Sequence, residues 1–126
     1  MQFHLIVGAV NAFIAVALGA FGAHGLQGKV EDRFIPVWET AVEYHMYHAL
    51  ALLVVGILMS TNFFNGSTLM NWAGYLFFAG IIAFAGSLYV TVLAGGGLGK
   101  FGLITPLGGL LFLAGWVVFI IAVMKG

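Results

Sequence analysis

The chain has 126 residues, 63% hydrophobic and 6% charged, with a mean hydropathy of +1.13; soluble domains carry about a quarter charged residues, so this is the composition of an integral membrane protein. Four Lys and Arg balance four Asp and Glu, which leaves no basic face to neutralise phosphates and argues against nucleic acid as a partner. Cysteine is absent, removing disulfides, thiolate nucleophiles and thiolate-bound metals.

The first apolar run, Leu5 to Ala23, can cross a hydrocarbon core of about 30 Å. A cleaved signal peptide would carry basic residues ahead of it, and Met1-Gln2-Phe3-His4 has neither Lys nor Arg, so retention as helix 1 (residues 4–24) is expected. At about 100° per residue, Gly8, Asn11, Ala15, Gly19 and Gly22 fall in one arc with His4 beside them, and this small-residue stripe is the expected packing face. The stretch from Gly25 to Ile35 holds Lys29, Glu31, Asp32 and Arg33 and reads as the main aqueous loop.

Pro36 suits a first helical turn, where its missing N–H costs little, so helix 2 is expected over residues 36–59. Its purely apolar part, Ala49 to Met59, is too short to span alone. Counting back about 20 residues from Met59 puts Glu43 just inside one boundary and His48 about 12 Å in. After the polar turn Ser60 to Thr68, Asn71-Trp72 opens helix 3 (71–93), where Ala79, Ala83 and Ser87 repeat at four-residue spacing. A glycine-rich loop around Lys100 follows. Its Gly97-Leu98-Gly99-Lys100-Phe101-Gly102 run matches G-x-G-x-x-G but lies between membrane helices rather than after a strand, so it reads as a turn, not a nucleotide site. Thr105-Pro106 reads as N-cap and first residue of helix 4 (105–124), whose Gly108 and Gly115 stand one heptad apart.

The expected architecture is therefore an all-α, integral-membrane four-helix bundle over residues 1–126, with both termini on the same side. Lys29, Arg33 and Lys100 on one face outweigh Lys125 on the other, so the positive-inside rule puts both termini outside the cytoplasm.

Ionisable residues at membrane depth are costly and mark function by default. On a helical wheel Glu39, Glu43, Tyr47, Tyr44 and His48 sweep about half of helix 2, with His45 about 60° beyond His48. Lipid cannot satisfy that arc, so it is expected to face other helices or a cavity. Glu39 reads as interfacial, within reach of Lys29 or Arg33. His45 and His48 at i and i+3 could share a metal with Glu43 or His24, but Met46 stands where a Glu-x-x-His motif needs histidine. A His24–His48 haem pair has no further support. Glu43 with His48 has the chemistry of a proton relay, yet the two lie about 140° apart and need a bridge. No Ser or Thr lies beside the histidines as a nucleophile. No catalytic residue, metal or cofactor is assigned.

Three motifs in order, Gly19-Ala20-Phe21-Gly22-Ala23-His24-Gly25-Leu26, Tyr44-His45-Met46-Tyr47-His48 and Ile104-Thr105-Pro106-Leu107-Gly108-Gly109, closely resemble the domain of unknown function 423 family of small bacterial membrane proteins, to which animal transmembrane protein 256 is related. The resemblance covers nearly the whole chain. It implies a four-helix protein of the bacterial inner membrane with no established activity, stresses His24, Tyr47, His48, Thr105 and Pro106, and weakens any site built on His45, where relatives carry other polar residues. Motif and topology together lead to one expectation: a pocket in the cytoplasmic half lined by His24, Glu43, Tyr44, Tyr47, His48 and Thr105. It would bind a small or membrane-lipid ligand or a membrane partner rather than catalyse. Because four short helices make a narrow bundle, homo-oligomerisation is expected too. A proton-coupled carrier or channel between protomers and a membrane metalloprotein are the alternatives.

Overall fold

The structure, a computed structural model, describes residues 2–95 and 103–125; most of the glycine-rich loop, with Lys100, lies outside them. All regular structure among these residues is helical. Helix α1 covers Gln2–Gly25, α2 Ile35–Met59, α3 Thr68–Leu93 and α4 Ile104–Lys125. All four are long and apolar enough to cross a membrane, so the chain is a four-span helical membrane protein with its termini on one side.

Local chemistry sets the ends. Pro36 occupies the first turn of α2, and a short 3-10 turn, Asp32–Phe34, leads into it. Helix α3 begins at Thr68, three residues before Asn71, because the Ser67 hydroxyl accepts the Met70 N–H at 3.1 Å as an N-cap. Gly66 precedes it at φ 79°, a left-handed turn that glycine adopts without strain. Helix α4 starts at Ile104, so Thr105 lies inside the first turn rather than capping it, and its hydroxyl bonds the Ser87 hydroxyl on α3. Midway along α3, Ile81–Ala85 widens into a π-helical segment.

The helices pack in sequence, α1 on α2, α2 on α3 and α3 on α4, while α1 and α4 share no extended contact. The expected α1 stripe is the packing face: Gly8, Asn11, Ala15 and Gly22 are buried. A Cβ on Gly8 would stand 3.0 Å from the Ala49 carbonyl oxygen and from Leu52 Cβ, so the absent side chain is what lets α1 and α2 touch. Gly108 and Gly115 do the same for α4, against Phe84 and Phe77. On α3 the expected stripe is displaced. Ala79, Ala83 and Ser87 are only half-buried, and Ala73, Gly74, Phe77, Gly80, Ile81 and Ala85 form the inner face; at about 100° per residue Ala79 lies about 200° round the helix from fully buried Phe77. Leu52, Val55, Met70, Phe77 and Phe112 fill the main core, and Leu26, Phe34, Trp38 and Val92 form a second cluster beneath the first loop.

Candidate functional site

The buried face of α2 carries two histidines, and their partners define their protonation. His48 lies between α2, α3 and α4, stacked on Phe112 at 3.6 Å with an interplanar angle of 7°. Its Nδ1 is 2.8 Å from the Tyr44 carbonyl oxygen, which can only accept, so Nδ1 carries the proton. Its Nε2 accepts the Trp116 indole N–H at 3.0 Å. Both nitrogens are used, and the ring is neutral.

His45 is 4% exposed and joins three helices. The Asn11 amide nitrogen donates to the Val7 carbonyl at 2.8 Å, which fixes Asn11 Oδ1 as the acceptor for His45 Nε2–H at 2.9 Å. His45 Nδ1 therefore accepts the Tyr89 hydroxyl proton at 2.9 Å. The chain of donors runs from Tyr89 on α3 through His45 to Asn11 and Val7 on α1. It ends on a backbone carbonyl, which cannot take up a proton for onward transfer, so the arrangement is a clamp rather than a wire. The resemblance weakens a site built on His45, whereas the structure makes this residue the polar centre of the bundle. A second clamp joins the N-terminal ends of α1 and α3, where fully buried His4 bonds Asn71 Oδ1 through Nε2 at 2.7 Å and packs on Gly74.

The six residues expected to line one pocket do not meet. His24 is exposed at the end of α1. Thr105 sits in the α3–α4 contact with Ser87. Tyr44 and His48 do come together, with ring centroids 6.3 Å apart, and Tyr44 also packs on Phe84 at 4.9 Å. Tyr47 is 55% exposed and points away from the bundle. Glu43 is exposed as well, at the edge of the α1–α2 groove and turned away from His48. The physical reason is the wheel separation already noted: one helix cannot turn both Glu43 and His48 toward the same neighbour. Likewise His45 and His48 use their nitrogens on different helices and do not converge as an i, i+3 ligand pair.

Glu43 instead joins Glu39 at a groove of about 330 Å³ between the loop-proximal ends of α1 and α2. Gly19, Gly22 and Ala23 line the α1 side, and Trp38 and Val42 share the α2 side with the two carboxylates. The Trp38 indole N–H donates to the Leu18 carbonyl at 2.9 Å, an approach that Gly22 permits because a Cβ there would collide with the indole. Glu39 has neither of its expected cationic partners: among the described residues the one ion pair joins Arg33 to Glu31 at 2.8 Å. The two carboxylates stand one turn apart beside an apolar groove, and neither has a cationic partner among the described residues.

Residues 18–109 match the model of the family described as protein of unknown function (DUF423). The chain belongs to this family. It is similar to a UPF0382 membrane protein of Staphylococcus aureus, 53% identical over 125 residues that span 99% of this chain and 98% of the relative. UPF0382 membrane proteins of Staphylococcus epidermidis and Bacillus subtilis (YwdK) are 49% and 48% identical over the same shares. No solved structure matches the chain. The family match includes the groove residues Gly19 to Glu43, the α2 histidines with Tyr89, and Thr105 in the first turn of α4.

Asn11, Tyr89 and Trp116 escaped the sequence reading as site-forming residues. Asn11 was visible as part of the α1 stripe. Tyr89 and Trp116 gave no signal of their own, since their roles depend on which turn of α3 and α4 meets the α2 histidines.

Proposed function

We propose that this protein binds an amine-bearing membrane lipid headgroup in the α1–α2 groove. The observation that carries the reading is the pair Glu39 and Glu43, without cationic partners among the described residues, beside a groove otherwise walled by glycine, alanine, Trp38 and aliphatic residues. A carboxylate at the edge of the hydrocarbon is stabilised by a cation, and an ammonium on an acyl-bearing molecule supplies one while its chain covers the apolar wall. Binding is favoured over catalysis because His45 and His48 have both nitrogens bonded to protein groups, leaving no lone pair to act as a base. In this reading the protein lies in the bacterial cytoplasmic membrane with its termini outside and the groove in the cytoplasmic half, on the balance of Lys29, Arg33 and Lys100 against Lys125.

Native mass spectrometry from nanodiscs of equal phosphatidylethanolamine and phosphatidylglycerol tests it. Retained lipid should be enriched about tenfold in phosphatidylethanolamine for the parent chain and unenriched in Glu39→Gln/Glu43→Gln. Free ethanolamine added as a competitor separates recognition of the ammonium alone from recognition of the whole lipid. Equal retention of the two lipids, or enrichment unchanged by the double substitution, would remove the reading.

A further inference from the structure

Helix α2 is covered by α1 on one side and by α3 on the other, and one face stays open. It carries Glu43, Tyr47, Leu50, Val54 and Ile57, all exposed, the last four between 45% and 59%. Their intervals alternate four and three, the spacing that keeps one stripe facing a partner helix in a left-handed pair. At about 100° per residue the five fall within about 80° of arc.

The outer faces of α1 and α4 present Phe13, Val16, Leu110, Leu113 and Val117, which lipid tails cover well. The α2 stripe differs because it combines a carboxylate and a phenol with aliphatic residues, and hydrocarbon cannot satisfy the first two. We infer that this stripe is the seam of a homodimer, in which the Tyr47 hydroxyl of each copy donates to the Glu43 carboxylate of the other.

Two copies inserted with the same orientation meet along parallel α2 helices about a two-fold axis. Helical side chains lean toward the N-terminus, so the long Tyr47 side chain rises by about a turn to the level of Glu43. Donor and acceptor on a single stripe are therefore self-complementary across such an axis, and Leu50, Val54 and Ile57 continue the contact below them.

The native chain contains no cysteine, so single cysteines give disulfide cross-linking in membranes without background. Tyr47→Cys, Leu50→Cys, Val54→Cys and Ile57→Cys are compared with Val16→Cys on α1 and Leu113→Cys on α4, which are as exposed or more so. The seam predicts cross-linked dimer at least fivefold above the two controls at Leu50, Val54 and Ile57. Tyr47→Phe, which leaves the seam apolar and intact, should lower the dimer fraction in nanodiscs several-fold. Seam yields no higher than the controls, or a dimer fraction unmoved by Tyr47→Phe, overturn the inference. Glu39→Gln/Glu43→Gln retains an acceptor for Tyr47, so it should spare cross-linking at Leu50 while removing the lipid preference, which separates the seam from the groove reading.

Discussion

Whether His48 is held for packing can be decided by a cycle with Trp116. His48→Phe keeps a planar ring over Phe112, where the imidazole now stacks at 3.6 Å, but removes the acceptor of the 3.0 Å bond from the Trp116 indole. A stranded donor costs about 1–3 kcal/mol when buried. Interhelical hydrogen bonds within membranes measure lower, about 0.6 kcal/mol on average and at most about 1.7. Trp116 is 39% exposed and that surface faces lipid rather than water, so a coupling of about 1 kcal/mol is expected, roughly a fivefold change in the folded-to-unfolded ratio. Trp116→Phe alone loses the same bond and some packing volume. The double variant removes donor and acceptor together, and its cost should fall short of the sum of the single costs by that coupling. Reversible unfolding in dodecylmaltoside–SDS mixed micelles reads all four corners. Additivity within about 0.3 kcal/mol would mean the bond holds nothing, and the structural account of His48 would fail.

Neighbouring glycines on α4 should behave oppositely. A Cβ on Gly108 would lie 2.7 Å from the Phe84 Cα, backbone that cannot rotate away, whereas one on Gly109 meets nothing within 4 Å. Gly108→Ala is expected to cost about 1–3 kcal/mol and Gly109→Ala to be neutral or up to about 1 kcal/mol stabilising, read by thermal unfolding in detergent; equal effects would discount the close α3–α4 approach. Tyr89→Phe removes the donor to His45 Nδ1 and should cost about 0.6–1.7 kcal/mol in the same micelle titration, an effect that disappears when His45 is already replaced by Phe. Ser67→Ala, which deletes the α3 cap, should cost about 1 kcal/mol, with faster amide exchange confined to the first turn of α3; protection lost uniformly across the bundle would contradict a local cap.

Four spans were legible because length and hydropathy suffice to mark a membrane helix, and the α1 face was legible because glycine and alanine at helical spacing mark close approach. Helix α2 misled because its polar residues were read as facing inward together. Its inner face is better marked by the small residues Ala41, Ala49 and Gly56, which share about 100° of arc with Trp38, His45, His48 and Leu52. The same rule that located the α1 stripe, applied to α2, separates the two histidines from Glu43 and Tyr47. The groove was less accessible: it arises where Gly22 admits Trp38, a contact between helices that no single-helix wheel contains.

Lipid gives helices little reason to associate through apolar surface alone, so the polar bonds of α2 carry unusual weight in choosing its neighbours. Trp38 bonds Leu18 on α1, His45 bonds Asn11 on α1 and Tyr89 on α3, and His48 accepts the Trp116 indole N–H from α4. One helix thus reaches all three others. The consequence falls on the residues those bonds do not use. Because the inner face of α2 is fixed by the histidines, Glu39, Glu43 and Tyr47 are carried to its outer side. The proposed partners are a lipid ammonium and a second copy of the chain, which puts contact with other molecules at the groove and the α2 stripe rather than at the buried histidines.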